Sequence, residues 1–119
     1  MNKMSNLREI RAKREELSEF LVKTIDCSLK EIFGEHAVSI IYDYMERRLS
    51  IRREEIPERI EDFREGLREY LSTGAYVVEK AILRKLYKNY GLDFEEEEDQ
   101  GFEYYIRELK RKIRKETKR

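Results

Sequence analysis

The sequence has few of the residues on which common enzyme and metal chemistries depend. It contains one cysteine, one histidine and no tryptophan, and its five glycines are isolated from one another. Cys27 and His36 are too few for a zinc site built from thiolate and imidazole ligands. A single histidine supports no Ser-His-Asp or Cys-His system, and isolated glycines form no phosphate loop. We therefore predict a protein that is not an enzyme and has no metal or other cofactor.

Signals for disulfides, secretion and membrane insertion are also missing. A lone Cys27 forms no intramolecular disulfide, which suits a reducing cytosol, and we interpret it as a small packing residue, with an intermolecular disulfide as the alternative. Residues 1–16 are charged and lack the apolar stretch of a signal peptide. No apolar run approaches the ~20 residues that cross a bilayer. These features predict a cytoplasmic protein without membrane association.

Charge is abundant but balanced. Charged residues make up 44% of the chain, against about 25% in a typical soluble protein, yet 26 basic residues match 26 acidic ones. No net field therefore steers the protein toward nucleic acid or anionic lipid. Composition rich in Glu, Lys and Arg and poor in amides is favoured at high working temperature. We predict a thermophilic archaeal or bacterial source.

Apolar residues recur with the 3.6-residue period of an α-helix, and no alternating strand pattern is present. The pattern predicts helices over about residues 6–33, 35–48, 59–71, 74–90 and 102–115. Gly34 is expected to end the first helix, and Ser50 to cap a short helical turn before Pro57. Residues 74–90 are apolar nearly all round, as in a central helix. The predicted fold is an all-α, five-helix orthogonal bundle around this segment, with a long N-terminal helix.

One domain, residues 1–119, is expected because the chain has no internal repeat and no flexible linker. Within it we predict a polar helical arm (1–17), a core (18–106) and a basic helical tail (107–119). The arm either projects or pairs with another copy. Gly66 lies inside a predicted helix at a cost of up to ~1 kcal/mol relative to alanine. We interpret it as a point of close packing against a neighbouring helix.

Tyrosine is the most distinctive residue type, with eight copies. Tyrosine buries a large area while keeping a polar tip, which suits interfaces. Two tyrosines fall off the apolar stripes of their helices, which predicts either a partner surface or packing under the N-terminal helix. Together with three apolar residues of the arm they form the predicted homodimer interface: Leu7, Ile10, Leu17, Tyr42 and Tyr76.

The C-terminal third carries an acidic run followed by a basic one. The run from Asp93 to Asp99 offers oxygen ligands for a divalent cation, but it lacks the alternating spacing of a calcium loop, so we predict a solvated, partly disordered loop. Residues 107–119 include eight basic side chains. They either form a solvated helix end favoured by the helix dipole or contact a phosphate backbone. In the second case the predicted phosphate contacts are Lys110, Arg111, Arg114 and Lys115.

Several segments resemble a known family. They are IFGE at 32–35, IYDYME at 41–46, IRREEIPE at 51–58, IEDF at 60–63 and the helix that starts at Gly74-Ala75. Over about residues 24–108 the chain resembles the Nitrosopumilus-type output domain family, small archaeal proteins and domains of unknown function. The resemblance implies a stand-alone relative of a signal-transduction output module. It supplies no ligand, cofactor or active residue.

Three functions are consistent with these features. The leading prediction is a non-enzymatic interaction or signal-output module that self-associates and has a protein partner in signalling. The alternative is a nucleic-acid-binding regulator that uses the basic tail. The third is a small-ligand sensor with a pocket between the second and fourth helices.

Overall fold

The computed structural model describes the backbone of residues 3–117 and the side chains of residues 14–114. Its five α-helices are α1 (Lys3–Phe33), α2 (Glu35–Leu49), α3 (Ile60–Leu71), α4 (Gly74–Asn89) and α5 (Phe102–Thr117), and a 3-10 helix spans Arg53–Glu58. No strand occurs within residues 3–117. The all-α prediction is confirmed, and the predicted helix bounds differ from these by three residues at most.

The turns between the helices follow the predicted signals with one exception. Gly34 has a φ of 87°, and its N–H donates to the carbonyl of Lys30, so it ends α1 as predicted. Ser50 also lies in the left-handed region and donates its N–H to the carbonyl of Glu46. The prediction that Ser50 caps the next turn is therefore wrong, because the residue is used to end α2.

The 3-10 helix is positioned by two buried isoleucines, Ile51 before it and Ile56 within it, and by a local hydrogen-bond pair. Ile51 and Ile56 are each 1% exposed. The N–H of Arg52 donates to a carboxylate oxygen of Glu55, and the N–H of Glu55 donates to the carbonyl of Arg52, both at 2.9 Å. Pro57 lies inside this short helix, where the lack of its backbone N–H removes at most one hydrogen bond.

The helices pack as antiparallel neighbours. Phe20 of α1 contacts Tyr90 just after α4, and Lys85 of α4 pairs with Glu31 of α1. In the same way Tyr44 of α2 stacks on Tyr70 of α3. The α1–α2 and α3–α4 corners therefore lie at the same end of the bundle.

The centre of the fold is shared between two helices. The α4 helix packs against α1, α3 and α5. Three of its side chains are completely buried: Val78, Ile82 and Leu86. The α1 helix packs against α2, α4, α5 and the 3-10 helix. The prediction of α4 as the single centre is therefore incomplete, since α1 contacts more elements than α4 does.

The boundaries predicted for the arm and the tail are too generous. Residues 14–16 are exposed, but Leu17 is 4% exposed and belongs to the core. At the other end Leu109 is 1% and Ile113 7% exposed. The apolar stripe of α5 continues to Ile113 at steps of three and four residues, so this part of the basic segment packs on the bundle while its charges face water.

The glycine inside α3 lies against α2, as expected from close packing. Gly66 is buried, and a Cβ placed on it would lie 2.7 Å from Cδ1 of Leu49 and closer still to Sδ of Met45. Met45 is 1% exposed, so it has little room to move away. Any side chain at position 66 must therefore displace core atoms.

We expect Gly66→Ala to lower the free energy of unfolding by about 1–2 kcal/mol, because overpacking outweighs the helix preference of alanine. Chemical denaturation monitored by circular dichroism measures the change. Gly74→Ala is the matched control, since the nearest atom to a Cβ there is Cβ of Leu71 at 3.7 Å, an ordinary contact. Equal stability of the two variants would contradict close packing at Gly66.

Candidate functional site

The predicted interface residues are separated by the fold. Leu17 points into the core, so its assignment to a partner surface is wrong in this conformation. Tyr42 is half-buried; its hydroxyl donates to Oδ1 of Asp26 at 3.1 Å, and the guanidinium of Arg53 lies over its ring. Burial and the nearby Asp26 charge raise the pKa of Tyr42. Of the two roles predicted for Tyr42, a partner surface and packing under the N-terminal helix, the structure therefore shows packing against α1. Leu7 and Ile10 lie outside the residues whose side chains are described.

The two residues considered for catalysis or metal binding lie at the surface. His36 is exposed. Cys27 is also exposed, so its interpretation as a packing residue is wrong. Its thiol donates to a carboxylate oxygen of Glu31 at 3.4 Å and accepts from the ammonium of Lys85 at 3.6 Å.

The predicted basic contacts at the end of α5 are interleaved with acidic side chains. Lys110 and Arg114 are exposed, but Arg111 donates to both carboxylate oxygens of Glu108 at 2.9 and 3.2 Å. Lys110 also lines a groove of about 490 Å³ between α5 and the start of α3. Four acidic residues and two further basic ones share that groove with it: Glu58, Glu61, Asp62 and Glu103, with Arg59 and Arg107. The side chain of Lys115 is outside the described residues.

The acidic loop before α5 is solvated, as predicted, but it is held in place. Residues 95–100 are exposed. The hydroxyl of Tyr105 accepts from the N–H of Glu97 at 2.7 Å and donates to its carbonyl at 3.1 Å. Glu96 pairs with Lys80 of α4 and accepts a 3.0 Å hydrogen bond from the hydroxyl of Tyr76. These contacts hold the loop against α4 and α5.

A cleft of about 290 Å³ lies between this loop, α4 and the end of α3. Five acidic residues line it, against two basic ones, Arg68 and Lys80. Four of the acidic residues are residues 96–99, and the fifth is Glu79 of α4. We call this site the acidic cleft; rings of Phe94, Phe102 and Tyr105 form part of its wall. It lies beside α4 and the loop, not between α2 and α4 as the sensor hypothesis expected.

Glu79 is the unusual residue of the acidic cleft. It is 6% exposed, and its Oε2 is buried without a hydrogen-bond partner. The nearest basic atom is Nε of Arg68 at 3.8 Å, which is longer than a hydrogen bond. Burial raises the pKa of Glu79, and the positive charges of Arg68 and Arg64 only partly oppose this effect. Glu79 therefore lines the cleft from the buried side of α4.

A second ion pair supports the cleft from behind. Arg64 of α3 donates to Oε1 of Glu103 on α5, and this contact raises the pKa of Arg64. Gly101 lies directly over the guanidinium, 3.8 Å from it if a Cβ is added. The pair joins α3 to α5 and fixes the end of the acidic loop. This pair is not evident from the sequence, because arginine and glutamate are abundant and the two residues lie 39 positions apart on different helices.

A second candidate surface consists of exposed apolar side chains near the two corners of the bundle. Five large side chains are between 40% and 60% exposed: Ile32, Ile40, Tyr70, Tyr76 and Val77. Each lies within six residues of the α1–α2 corner or the α3–α4 corner. We call this set the apolar end surface; Tyr76 also lines the acidic cleft. Val77 belongs to the segment predicted to be apolar nearly all round, and its spacing of seven and eleven residues from the exposed Arg84 and Lys88 is the sequence signal that it faces outward.

Comparison with protein-family models, with curated proteins and with solved structures finds no match for this chain. Among the described helices, none combines the length and the apolar character required to cross a membrane.

The buried Glu79 carboxyl should make stability depend on pH. Its folded pKa is raised, so the folded chain keeps this proton above pH 4.5, where the unfolded chain has lost it. The free energy of unfolding therefore falls as pH rises through the interval above 4.5. Glu79→Gln lacks this decline, and we expect its advantage over the wild type to grow by on the order of 1 kcal/mol between pH 4 and pH 7.

Urea denaturation at several pH values measures this difference. Glu98→Gln, which neutralises an exposed side chain of the same cleft, is the control. A constant difference between Glu79→Gln and the wild type over this pH range would show that the Glu79 carboxyl is not disfavoured by burial.

Proposed function

We propose that this protein is a non-enzymatic interaction module that forms a homodimer through the apolar end surface. The observation that carries the proposal is that five large apolar or aromatic side chains are at least 40% exposed and that all five lie within six residues of one of the two corners at one end of the bundle. Isolated exposed apolar residues are ordinary, whereas larger exposed apolar patches mark interaction sites.

A second copy is the partner that the charge pattern favours. Around a two-fold axis a surface meets itself, so a charged surface places like charges opposite one another. The apolar end surface avoids this repulsion, whereas other described faces carry dense charges of both signs. Tyr70 and Tyr76 add large contact area at low entropic cost.

Affinity should be modest. Stable interfaces bury about 800 Å² on each partner, which is more than five partly exposed side chains supply. A surrounding polar rim must contribute the rest, so we expect a concentration-dependent dimer. The signal-output role implied by the family resemblance belongs to the same proposal, with a signalling partner that binds the dimer.

We also propose a cytoplasmic protein of a thermophilic archaeon. Ion pairs among the described side chains support the thermal part of this proposal. Besides pairs within a helix, several connect different elements, including Arg48–Glu69, Arg53–Asp26, Arg64–Glu103, Lys80–Glu96 and Lys85–Glu31. Such ion pairs contribute more to stability as temperature rises, because the desolvation penalty of charged groups falls.

The dimer is tested by placing a charge on the proposed surface. Val77 is 60% exposed, so Val77→Lys should leave the fold intact while two copies of the new charge repel each other across the two-fold axis. We expect the wild type to dimerise at high micromolar concentration and the variant to dissociate at least tenfold more readily, by sedimentation equilibrium.

Asn89→Lys is the matched control, because it adds the same charge at an exposed position at the opposite end of α4. Loss of dimer in both variants would indicate a general charge effect. Ile10→Lys tests the alternative that the N-terminal half of α1 carries the contact. A wild type that stays monomeric, or a dimer lost in Ile10→Lys but kept in Val77→Lys, would contradict the proposed surface.

Nucleic-acid binding through the end of α5 is the alternative proposal, and it has less support. The exposed Lys110 and Arg114 favour it, but Arg111 is engaged by Glu108, and acidic residues outnumber basic ones four to three in the groove that Lys110 lines. If the alternative holds, Lys110→Glu combined with Arg114→Glu abolishes a binding that weakens steeply with salt in filter or anisotropy assays. Absence of such binding by the wild type at low salt would remove the alternative.

A further inference from the structure

We propose that the acidic cleft is a binding site for a small organic ammonium ion, with Glu79 as the buried anion that receives it. This site does not depend on the homodimer, since its floor and loop belong to one chain. Its partner is defined by chemistry: a primary ammonium group on a short alkyl chain.

The first reason is the hydrogen-bonding state of Glu79. Buried carboxylate oxygens nearly always accept hydrogen bonds, yet its Oε2 accepts none and Arg68 Nε lies 3.8 Å away. A charged donor within hydrogen-bonding distance is what such an atom lacks. An alkylammonium group has three N–H donors, so it can bond to Glu79 and to a second cleft oxygen at once.

The second reason is the charge of the walls. Acidic residues outnumber basic ones five to two along the cleft, and of the five only Glu97 has its carboxylate bonded to a residue outside the lining, Tyr104. Lys80 is engaged by Glu96 and lies over the ring of Tyr76, 4.4 Å from its centroid. The Arg68 side chain is 52% exposed, so it can turn toward water when a ligand takes its place. The cleft therefore retains an excess of negative charge that favours a cation.

The third reason distinguishes an organic cation from a metal ion. Among the described residues, no group of three or more histidine, cysteine, aspartate or glutamate side chains is arranged to hold a metal. Aromatic rings, in contrast, line the cleft and attract an ammonium ion and its alkyl chain through cation–π and apolar contact. The volume of about 290 Å³ is at the low end for ligand sites, which limits the guest to a short chain.

Two sources could supply this group, a free alkyl diamine and a lysine side chain of a peptide. The probes are therefore 1,4-diaminobutane and Nα-acetyl-lysine methylamide, each titrated calorimetrically into the full chain at low salt. Butane-1,4-diol has the same length without charge and serves as the ligand control. We expect saturable binding of at least one ammonium probe and none of the diol.

Glu79→Gln is the decisive variant. It keeps the shape of the side chain and removes a buried charge, so the variant should fold, as circular dichroism and its melting temperature will show. We expect it to bind the ammonium probe at least tenfold more weakly, the loss expected for one charge-assisted hydrogen bond. Glu98→Gln removes an equal charge from the cleft rim and should weaken binding less than threefold.

Location is checked by NMR, where ring protons of Tyr76, Phe94 and Tyr105 should shift on addition of the probe and return to their free positions in Glu79→Gln. Tighter binding of the diamine would assign the site to a free amine, and tighter binding of the lysine derivative to a peptide; both support the proposal. Equal affinity in Glu79→Gln and the wild type, equal loss in Glu79→Gln and Glu98→Gln, or no ammonium binding at all would overturn it.

Discussion

The apolar stripe of α1 is the constraint on which the rest of the structure depends. Leu17, Leu21, Ile25 and Leu29 recur every four residues and are at most 4% exposed. In a chain with 44% charged residues, few segments offer such a continuous apolar surface. The other elements must therefore share it, and α2, α4, α5 and the 3-10 helix all pack against α1. Burial of this stripe contributes to the hydrophobic driving force that holds these elements together.

Both candidate surfaces follow from this arrangement. Because α4 lies antiparallel to α1, and α3 antiparallel to α2, the two corners lie at the same end of the bundle. The residues of the apolar end surface lie near these corners. Because α5 packs against both α1 and α4, the preceding loop must pass over α4. That path places residues 96–99 above Glu79 and encloses the acidic cleft. The packing of the other helices around α1 therefore determines where both the apolar end surface and the acidic cleft lie.

Charge has different roles at different depths in this molecule. At the surface, pairs such as Arg47–Asp43 are exposed on both sides and contribute little to stability. Nearer the core, Asp26 accepts a hydrogen bond from Tyr42 and pairs with Lys30 and Arg53. Burial acts to raise the pKa of Asp26, but together these partners outweigh burial and lower it. Glu79 is the opposite case, because its partners do not reach hydrogen-bonding distance and burial prevails. The geometry of the partners, not the number of charges, therefore sets the direction of each pKa shift.

The sequence by itself determined the helices, the end of α1 at Gly34, the close packing at Gly66 and the solvated acidic loop. Each of these depends on local periodicity, backbone conformation or side-chain size. Only the tertiary structure decided that Leu17 and Ile113 are core, that Tyr42 packs inward and that Oε2 of Glu79 lacks a hydrogen bond. Those outcomes depend on which helix face meets which neighbour, and a segment such as residues 74–90, apolar on most sides, leaves that choice to packing across the whole chain.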